Sequence, residues 1–395
     1  MEQFSYYTPT KVVFGKGAEL KAGEMIRSYG FKKVLLHYGG GSIKRSSLYD
    51  RIVASLNENG IEFVELGGVE PNPKISLSRK AAQLCIDEGI EMILAVGGGS
   101  VLDWAKSAAA GAANHCDPWE FSSGKRVLEK SLPVGAVLTI SAAGSEMSNS
   151  CVITNEDGWL KRGFGSDLNR PLFALMNPEL TYTVSKYQTA CGITDIMMHT
   201  LERYFCQNGD VALTDHLAEG LLKSVIDAGK IAINNPEDYE ARATLMWASS
   251  LSHNGLTGCG RDYLMRCHQL EHELSGMYDR VAHGAGLAVI FPAWAKYVYR
   301  NEKALPRFCQ YAVRVWGIEM DFEHPERTAL AGIEATENYF HSIGMPVRLS
   351  ELDIDDSGIE EMAEKCTNMG QRKLSGIVEL GKEEMIEIYG MAMGE

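Results

Sequence analysis

The amino-acid sequence predicts an N-terminal α/β domain built on a parallel, doubly wound sheet, residues 1–183, followed by an all-helical C-terminal domain, residues 184–395. Three observations predict it. Short apolar runs alternate with helical patterns through the first half, as strands spaced by crossover helices require. Beyond about Val184 the strand signals nearly vanish and helical periodicity takes over. A chain of 395 residues is also longer than one ordinary core organises.

The elements follow in order. Lys33–Tyr38 reads as a strand that stops at Gly39-Gly40-Gly41, Glu62–Leu66 as a second, and Met92–Val96 as a third that stops at Gly97-Gly98-Gly99. Gly135–Ile140 and Leu172–Met176 complete the set, with helical stretches at Leu48–Asn59, Leu77–Glu88 and Val101–Ala112. In the second half, Asn235-Pro236 and the stretch around Asn301 read as helix breaks.

Composition narrows the function. A formal net charge of -14 repels a long polyanion, so nucleic acid is not expected as a partner. No apolar run reaches the roughly 20 residues that span a bilayer. The opening Met1-Glu2-Gln3-Phe4-Ser5 lacks the basic and apolar regions of a signal peptide. A cytoplasmic protein acting on a small molecule is expected. The nine cysteines show no CxxC pair and read as reduced thiols, so a thiolate metal site is not expected.

Two glycine runs suit a nucleotide. After Ala95-Val96, Gly97-Gly98-Gly99-Ser100 leads into a helix with Ser100 as its expected N-cap. Such a loop lets backbone approach a pyrophosphate, and the helix N-terminus favours its charge. Asp103, in the first turn, would either order the loop or meet a sugar hydroxyl. Gly39-Gly40-Gly41-Ser42 lacks the GxGxxG fingerprint and any acid, and Lys44 and Arg45 follow. That favours a 2′-phosphate, hence NADP(H) over NAD(H), with a solvated basic turn as the plain alternative. Thr139 to Glu146, small and hydroxyl-rich, suits a loop against a flat ring or a phosphate.

A second pattern suits a metal. Asp195 and His199 are spaced i, i+4, as are His268 and His272, and His283 follows before Gly284. On a helix each pair shares a face. An Asp/His set without thiolate fits Fe²⁺ or Zn²⁺. Spacing alone leaves open which of His268 and His272 is a ligand, and a core or hydrogen-bonding role is the bland reading of each residue.

These segments resemble the iron-containing (group III) alcohol dehydrogenases of the dehydroquinate synthase-like fold, in the branch of butanol dehydrogenases and NADPH-dependent aldehyde reductases. The resemblance spans the chain. Tyr7–Gly15 matches the family opening, Gly97–Ser100 with Asp103 and Lys106 the phosphate motif, Gly192–Asp195 with His199 and Glu202 the first metal motif, and His268–Ser275 through His283–Leu287 the second. The resemblance implies that Asp195, His199, His268 and His283 bind the metal and that His272 lies beside nicotinamide and substrate, on a proton path. It implies that Gly39, Gly40, Gly41 and Ser42 face the adenosine ribose, that Gly98, Gly99 and Ser100 hold the pyrophosphate, that Thr139 and Ser145 line the nicotinamide side, and that Lys161 is near the cofactor. A homodimer is implied as well. Three departures stand out: Ala143 where Thr is common, Asn177 where Asp is frequent, and one extra residue between the last two ligand histidines.

The expected reaction is hydride transfer between a nicotinamide and a primary alcohol or aldehyde of the butanol/butanal kind, with Asp195, His268 and His272 at its centre. A glycerol dehydrogenase-like polyol oxidase and a dehydroquinate synthase-like lyase are the alternatives. The lyase needs a dense basic cluster, which Arg261, Arg266 and Arg280 do not make.

Overall fold

The structure, a computed structural model, describes residues 1–206 and 211–394. The chain forms two compact units: one comprises Tyr7–Val184 and Glu237–Asn254, the other Met1–Tyr6, Ser185–Pro236 and Gly255–Glu395. The chain passes between them at Tyr6/Tyr7, Val184/Ser185, Pro236/Glu237 and Asn254/Gly255. The helix Tyr239–His253, expected among the C-terminal helices, instead belongs with the sheet.

The sheet-bearing unit contains β1 (Lys11–Phe14), β2 (Lys33–Gly39), β3 (Glu62–Val69), β4 (Met92–Gly97), β5 (Val134–Leu138) and β8 (Phe173–Met176), paired in parallel in the order β1-β8-β5-β4-β2-β3. β4, β5 and β8 are buried along their whole length, which is why they read as unbroken apolar runs. Alternate side chains feed two cores: Leu35, Ile93 and Ala95 face one, Val34, Leu36, Met92 and Leu94 the other. Helices α1 (Ala22–Ser28), α2 (Ser42–Arg45), α3 (Leu48–Glu58), α4 (Ile75–Asp87), α5 (Gly99–Asn114) and α6 (Trp119–Ser122) accompany the strands. β6 (Ser150–Asn155) and β7 (Leu160–Gly165) form a separate antiparallel hairpin. Neither they nor β1 were expected as strands.

The other unit is helical: α7 (Lys186–Tyr204), α8 (Ala212–Asn234), α10 (Arg266–Met277), α11 (His283–Val298), α12 (Leu305–Trp316), α13 (Pro325–Ser342), α14 (Ile359–Cys366) and α15 (Lys382–Met393), with α9 being Tyr239–His253 of the first unit. Breaks fall near the expected places, α8 ending at Asn234 and α11 at Val298.

Candidate functional site

The helical unit assembles the acid and imidazole groups. α7 starts at the N-cap Ser185, whose hydroxyl accepts from the Gln188 N–H at 3.2 Å. Every residue from Thr189 to Tyr204 is buried, so its polar side chains must find partners inside. Asp195, His199 and Glu202 recur there at helical spacing. α10 carries His268, Glu271 and His272 in the same manner, and α11 begins at His283.

Three imidazole nitrogens converge on one oxygen. Asp195 Oδ1 lies 3.3 Å from His199 Nδ1, 3.5 Å from His268 Nε2 and 3.7 Å from His283 Nε2. Asp195 Oδ1 and His268 Nε2 are buried and find no hydrogen-bond partner among the described residues. Leaving such atoms unsatisfied is costly, and a cation between them removes the cost. Burial works against an imidazolium at His268, yet Glu202 and Asp195 outweigh it and hold His268 up at about 9, so positive charge is favoured here. The donor set of one carboxylate and three imidazoles fits a divalent transition metal. Ligand atoms of Asp195, His199 and His268 lie within 4.8 Å of one another; His272 groups instead with Glu271 and His283. The stretch before His283, where one extra residue was expected, is the turn from Tyr278 to Ala282 between α10 and α11.

Two buried carboxylates aim two of these rings. Glu202 accepts from His268 Nδ1, and from the backbone N–H groups of Cys267 and His268. Glu271 accepts from His283 Nδ1. A carboxylate at Nδ1 selects the tautomer whose Nε2 lone pair points the other way, toward Asp195. Two glycines make room. A Cβ at Gly284 would stand 2.2 Å from the Cys191 carbonyl oxygen of α7, and one at Gly286 would stand 2.8 Å from Glu271 Cγ. Sequence reasoning did not single out Glu271; its signal was the i, i+3 spacing from His268.

In the sheet-bearing unit, the residues expected at the dinucleotide gather at the carboxyl ends of neighbouring parallel strands: Gly39 at the end of β2 with Gly40–Ser42 after it, Gly98–Ser100 after β4, Thr139–Ser145 after β5. The chain runs from β2 to β3 in one direction and on to β4 in the other, so β2 and β4 flank the topological switch point, where nucleotides bind in such sheets. α5 begins at Gly99 with Gly98 as N-cap and no side-chain cap. Ser100 is therefore inside the helix, not its cap, because the Gly98 carbonyl already accepts from Val101 and Leu102. Cβ atoms at Gly97, Gly98 and Gly99 would stand 2.4, 2.1 and 2.9 Å from Val101, Ile140 and Ala143. The glycines thus seat the helix tightly on the strand ends, leaving first-turn N–H groups for an anion. Gly41 has φ 104°, a left-handed conformation that glycine adopts without strain.

Side chains around the loops divide into two kinds. Asp103 orders the chain: it accepts from Ser145 Oγ at 2.6 Å and from the Val152 N–H at 3.0 Å. Ser145 is buried, its hydroxyl held between Asp103 and Lys106, whereas Thr139 is partly exposed. Lys161 is buried on β7 and donates to Asn72 Oδ1 at 3.1 Å. Lys44 turns to Glu65, 3.6 Å away, and over the rings of Tyr38 and Tyr49. Arg45 bends back toward Gly41, its Nη1 3.8 Å from where a Cβ would be.

Two family models match the chain. Residues 9–178 match that of iron-containing alcohol dehydrogenases, and residues 189–393 match the C-terminal model of the same family. The chain belongs to the iron-containing alcohol dehydrogenase family. It is an oxidoreductase of alcohols and aldehydes. NADH-dependent butanol dehydrogenase A of Clostridium acetobutylicum is 43% identical, covering 98% of this chain and 99% of its own. NADPH-dependent aldehyde reductase of Escherichia coli is 36% identical, covering 95% of each. The crystal structure of NADH-dependent butanol dehydrogenase A from Thermotoga maritima superposes with a TM-score of 0.95 at 40% identity, covering 99% of both chains.

Proposed function

We propose that this oxidoreductase interconverts butanal-like primary aldehydes and their alcohols with NADP(H), using one Fe²⁺ held by Asp195, His199, His268 and His283. The convergence of three imidazole nitrogens on Asp195 Oδ1 carries the reading. A divalent cation there supplies Lewis acidity to the substrate oxygen, and the nicotinamide supplies the hydride. Zn²⁺ suits the same ligands.

The chain's own groups bind and orient. Glu202 and Glu271 hold the rings of His268 and His283. Gly98, Gly99 and Ser100 take the pyrophosphate at the start of α5, Gly39, Gly40, Gly41 and Ser42 take the adenosine ribose, and Thr139 lines the nicotinamide with Lys161 near the cofactor. Asp103 and Ser145 act from beneath by shaping the loop. In reduction the carbonyl oxygen gains a proton as its carbon gains hydride, and His272, its ring 5.7 Å from that of His283, relays it. NADP(H) is supported by the acid-free end of β2 and by Arg45 folded over Gly41. NAD(H) is the second reading, since Lys44 is engaged by Glu65 and the Clostridium and Thermotoga relatives are named as NADH-dependent. The working form is a cytoplasmic homodimer in this reading; no helix among the described residues is long and apolar enough to cross a membrane.

The test follows nicotinamide absorbance with butanal, using NADPH and NADH in parallel, together with elemental analysis. The reading expects faster consumption of NADPH, and loss of both metal and turnover in Asp195→Ala and His268→Ala. Turnover by metal-free protein would refute it, and a lyase would show no net consumption of either nucleotide.

A further inference from the structure

Beneath the loop that follows β5 lies a cation that the reaction does not use. Lys106, on α5, is fully buried. Five oxygens from one short stretch surround its Nζ: Ser145 O at 2.8 Å, Ser145 Oγ at 2.7 Å, Ser148 O at 3.2 Å, Ser148 Oγ at 3.4 Å and Ser150 O at 2.9 Å. Three are backbone carbonyls, which accept and cannot donate. The arrangement is that of a monovalent cation wrapped by a loop, except that the cation is tethered to a helix.

The five oxygens and the Asp103 carboxylate, 3.9 Å away, favour a charged amine. Burial opposes them and leaves the amine below the ordinary lysine range, with Asp103 offsetting part of that shift. Asp103 also accepts from Ser145 Oγ and the Val152 N–H, so helix and loop are joined on two sides. The wrapped stretch Gly144–Asn149 is neither helix nor strand. Its local bonds are the turns from Met147 N to Gly144 O and from Ser148 N to Ser145 O. Its shape therefore depends on what fills its centre. α9 holds its outer side, through Ser249 to Gly144, Ser250 to Glu146, and His253 Nε2 to Ser150 Oγ at 2.8 Å.

We propose that Lys106 is a positioning residue, a built-in monovalent cation that moulds Ser145–Ser150 and so holds the loop from Thr139 in the form that receives the nicotinamide half of the cofactor. This rests on the dinucleotide reading above. A free alkylammonium ion then replaces the side chain when it is cut away. Lys106→Ala removes three methylenes and the amine, and n-propylammonium restores those atoms.

The test is dinucleotide affinity of the metal-loaded protein, read by NADPH and NADH fluorescence without aldehyde, which would condense with the amine. Lys106→Ala and the length-matched Lys106→Met are expected to bind both nucleotides on the order of 10- to 100-fold more weakly, with metal content unchanged. n-Propylammonium restores most of the loss in Lys106→Ala and none in Lys106→Met. Tetramethylammonium, equally charged but without N–H donors, restores nothing. Native affinity in both variants overturns the proposal, as does a loss that n-propylammonium leaves unchanged or that tetramethylammonium repairs equally. If neither variant folds, hydrogen exchange in the wild-type protein decides: the Met147 and Ser148 amides are expected to be as protected as those of α5, and rapid exchange overturns the proposal. Wild-type affinity is measured first, and wild-type protein that binds neither nucleotide sinks the functional reading, not the role of Lys106.

Discussion

Replacing Gly284 with alanine should loosen the metal centre without touching a ligand. The new Cβ would stand 2.2 Å from the Cys191 carbonyl oxygen, 2.6 Å from its Cα and 2.7 Å from its carbonyl carbon. All three are backbone atoms of α7, so no flexible side chain can step aside. Ordinary contact begins at 3.4 Å, so the first turn of α11 must retreat by about 1.2 Å. Helix propensity pulls the other way, by at most about 1 kcal/mol. Overpacking of this kind costs about 1–3 kcal/mol, so the clash wins. His283 precedes Gly284 and moves with it, while metal–ligand distances tolerate only about 0.2 Å. Metal affinity, measured by competition with a chelator, is expected to fall by roughly 10- to 100-fold, the range seen when a ligand's support is lost. Gly220→Ala on α8 is the control: none of the described residues lies within 4 Å of its Cβ, so it should be neutral or stabilising by up to about 1 kcal/mol. Native metal affinity and melting temperature in Gly284→Ala would refute the reasoning.

Four further outcomes are expected. Glu271→Gln keeps an oxygen for His283 Nδ1 but removes the charge, and should weaken metal binding about 10-fold in the same competition assay; Glu202→Gln should also lower the melting temperature, because that carboxylate accepts from the first backbone N–H groups of α10. His272→Ala should retain metal while turnover falls on the order of 100-fold, and undiminished turnover would remove it from the proton path. His37 is buried, and burial holds it down at about 3 against an ordinary 6.5 despite its bond to the Leu66 carbonyl. Between those values the unfolded chain takes up a proton that the folded chain refuses, so this histidine removes stability as pH falls through that window. Urea midpoints of His37→Gln should therefore fall less steeply with acid than those of the wild type.

The parts of this molecule written in local pattern were legible. β2, β4, β5 and β8 are short apolar runs, and α3, α4 and α5 lie within two residues of the expected stretches. The spacing of Asp195 with His199, and of His268 with His272, marks faces of single helices, although only the assembled fold separates His268 from His272 at the Asp195 oxygen. What was missed depends on distant chain. The hairpin of β6 and β7 has weak alternation and glycines at 163 and 165. α9 joins the sheet through contacts such as Ser249 with Gly144, some hundred residues apart in sequence. Lys106 and Asp103 were visible as parts of a motif, but their work falls on Ser145 to Val152, far along the chain and irregular in structure. The three glycines at 97–99 were read as room for a ligand; the side chains of Val101, Ile140 and Ala143 require glycine there as well, a packing reason that the local sequence does not display.

Anomalous diffraction from crystals of the active enzyme, collected across the iron edge, tests the central claim most directly. The account predicts one peak per chain about 2.0–2.2 Å from a carboxylate oxygen of Asp195 and from a ring nitrogen of each of His199, His268 and His283. Active crystals with no peak there, or with the metal held by other side chains, would contradict it.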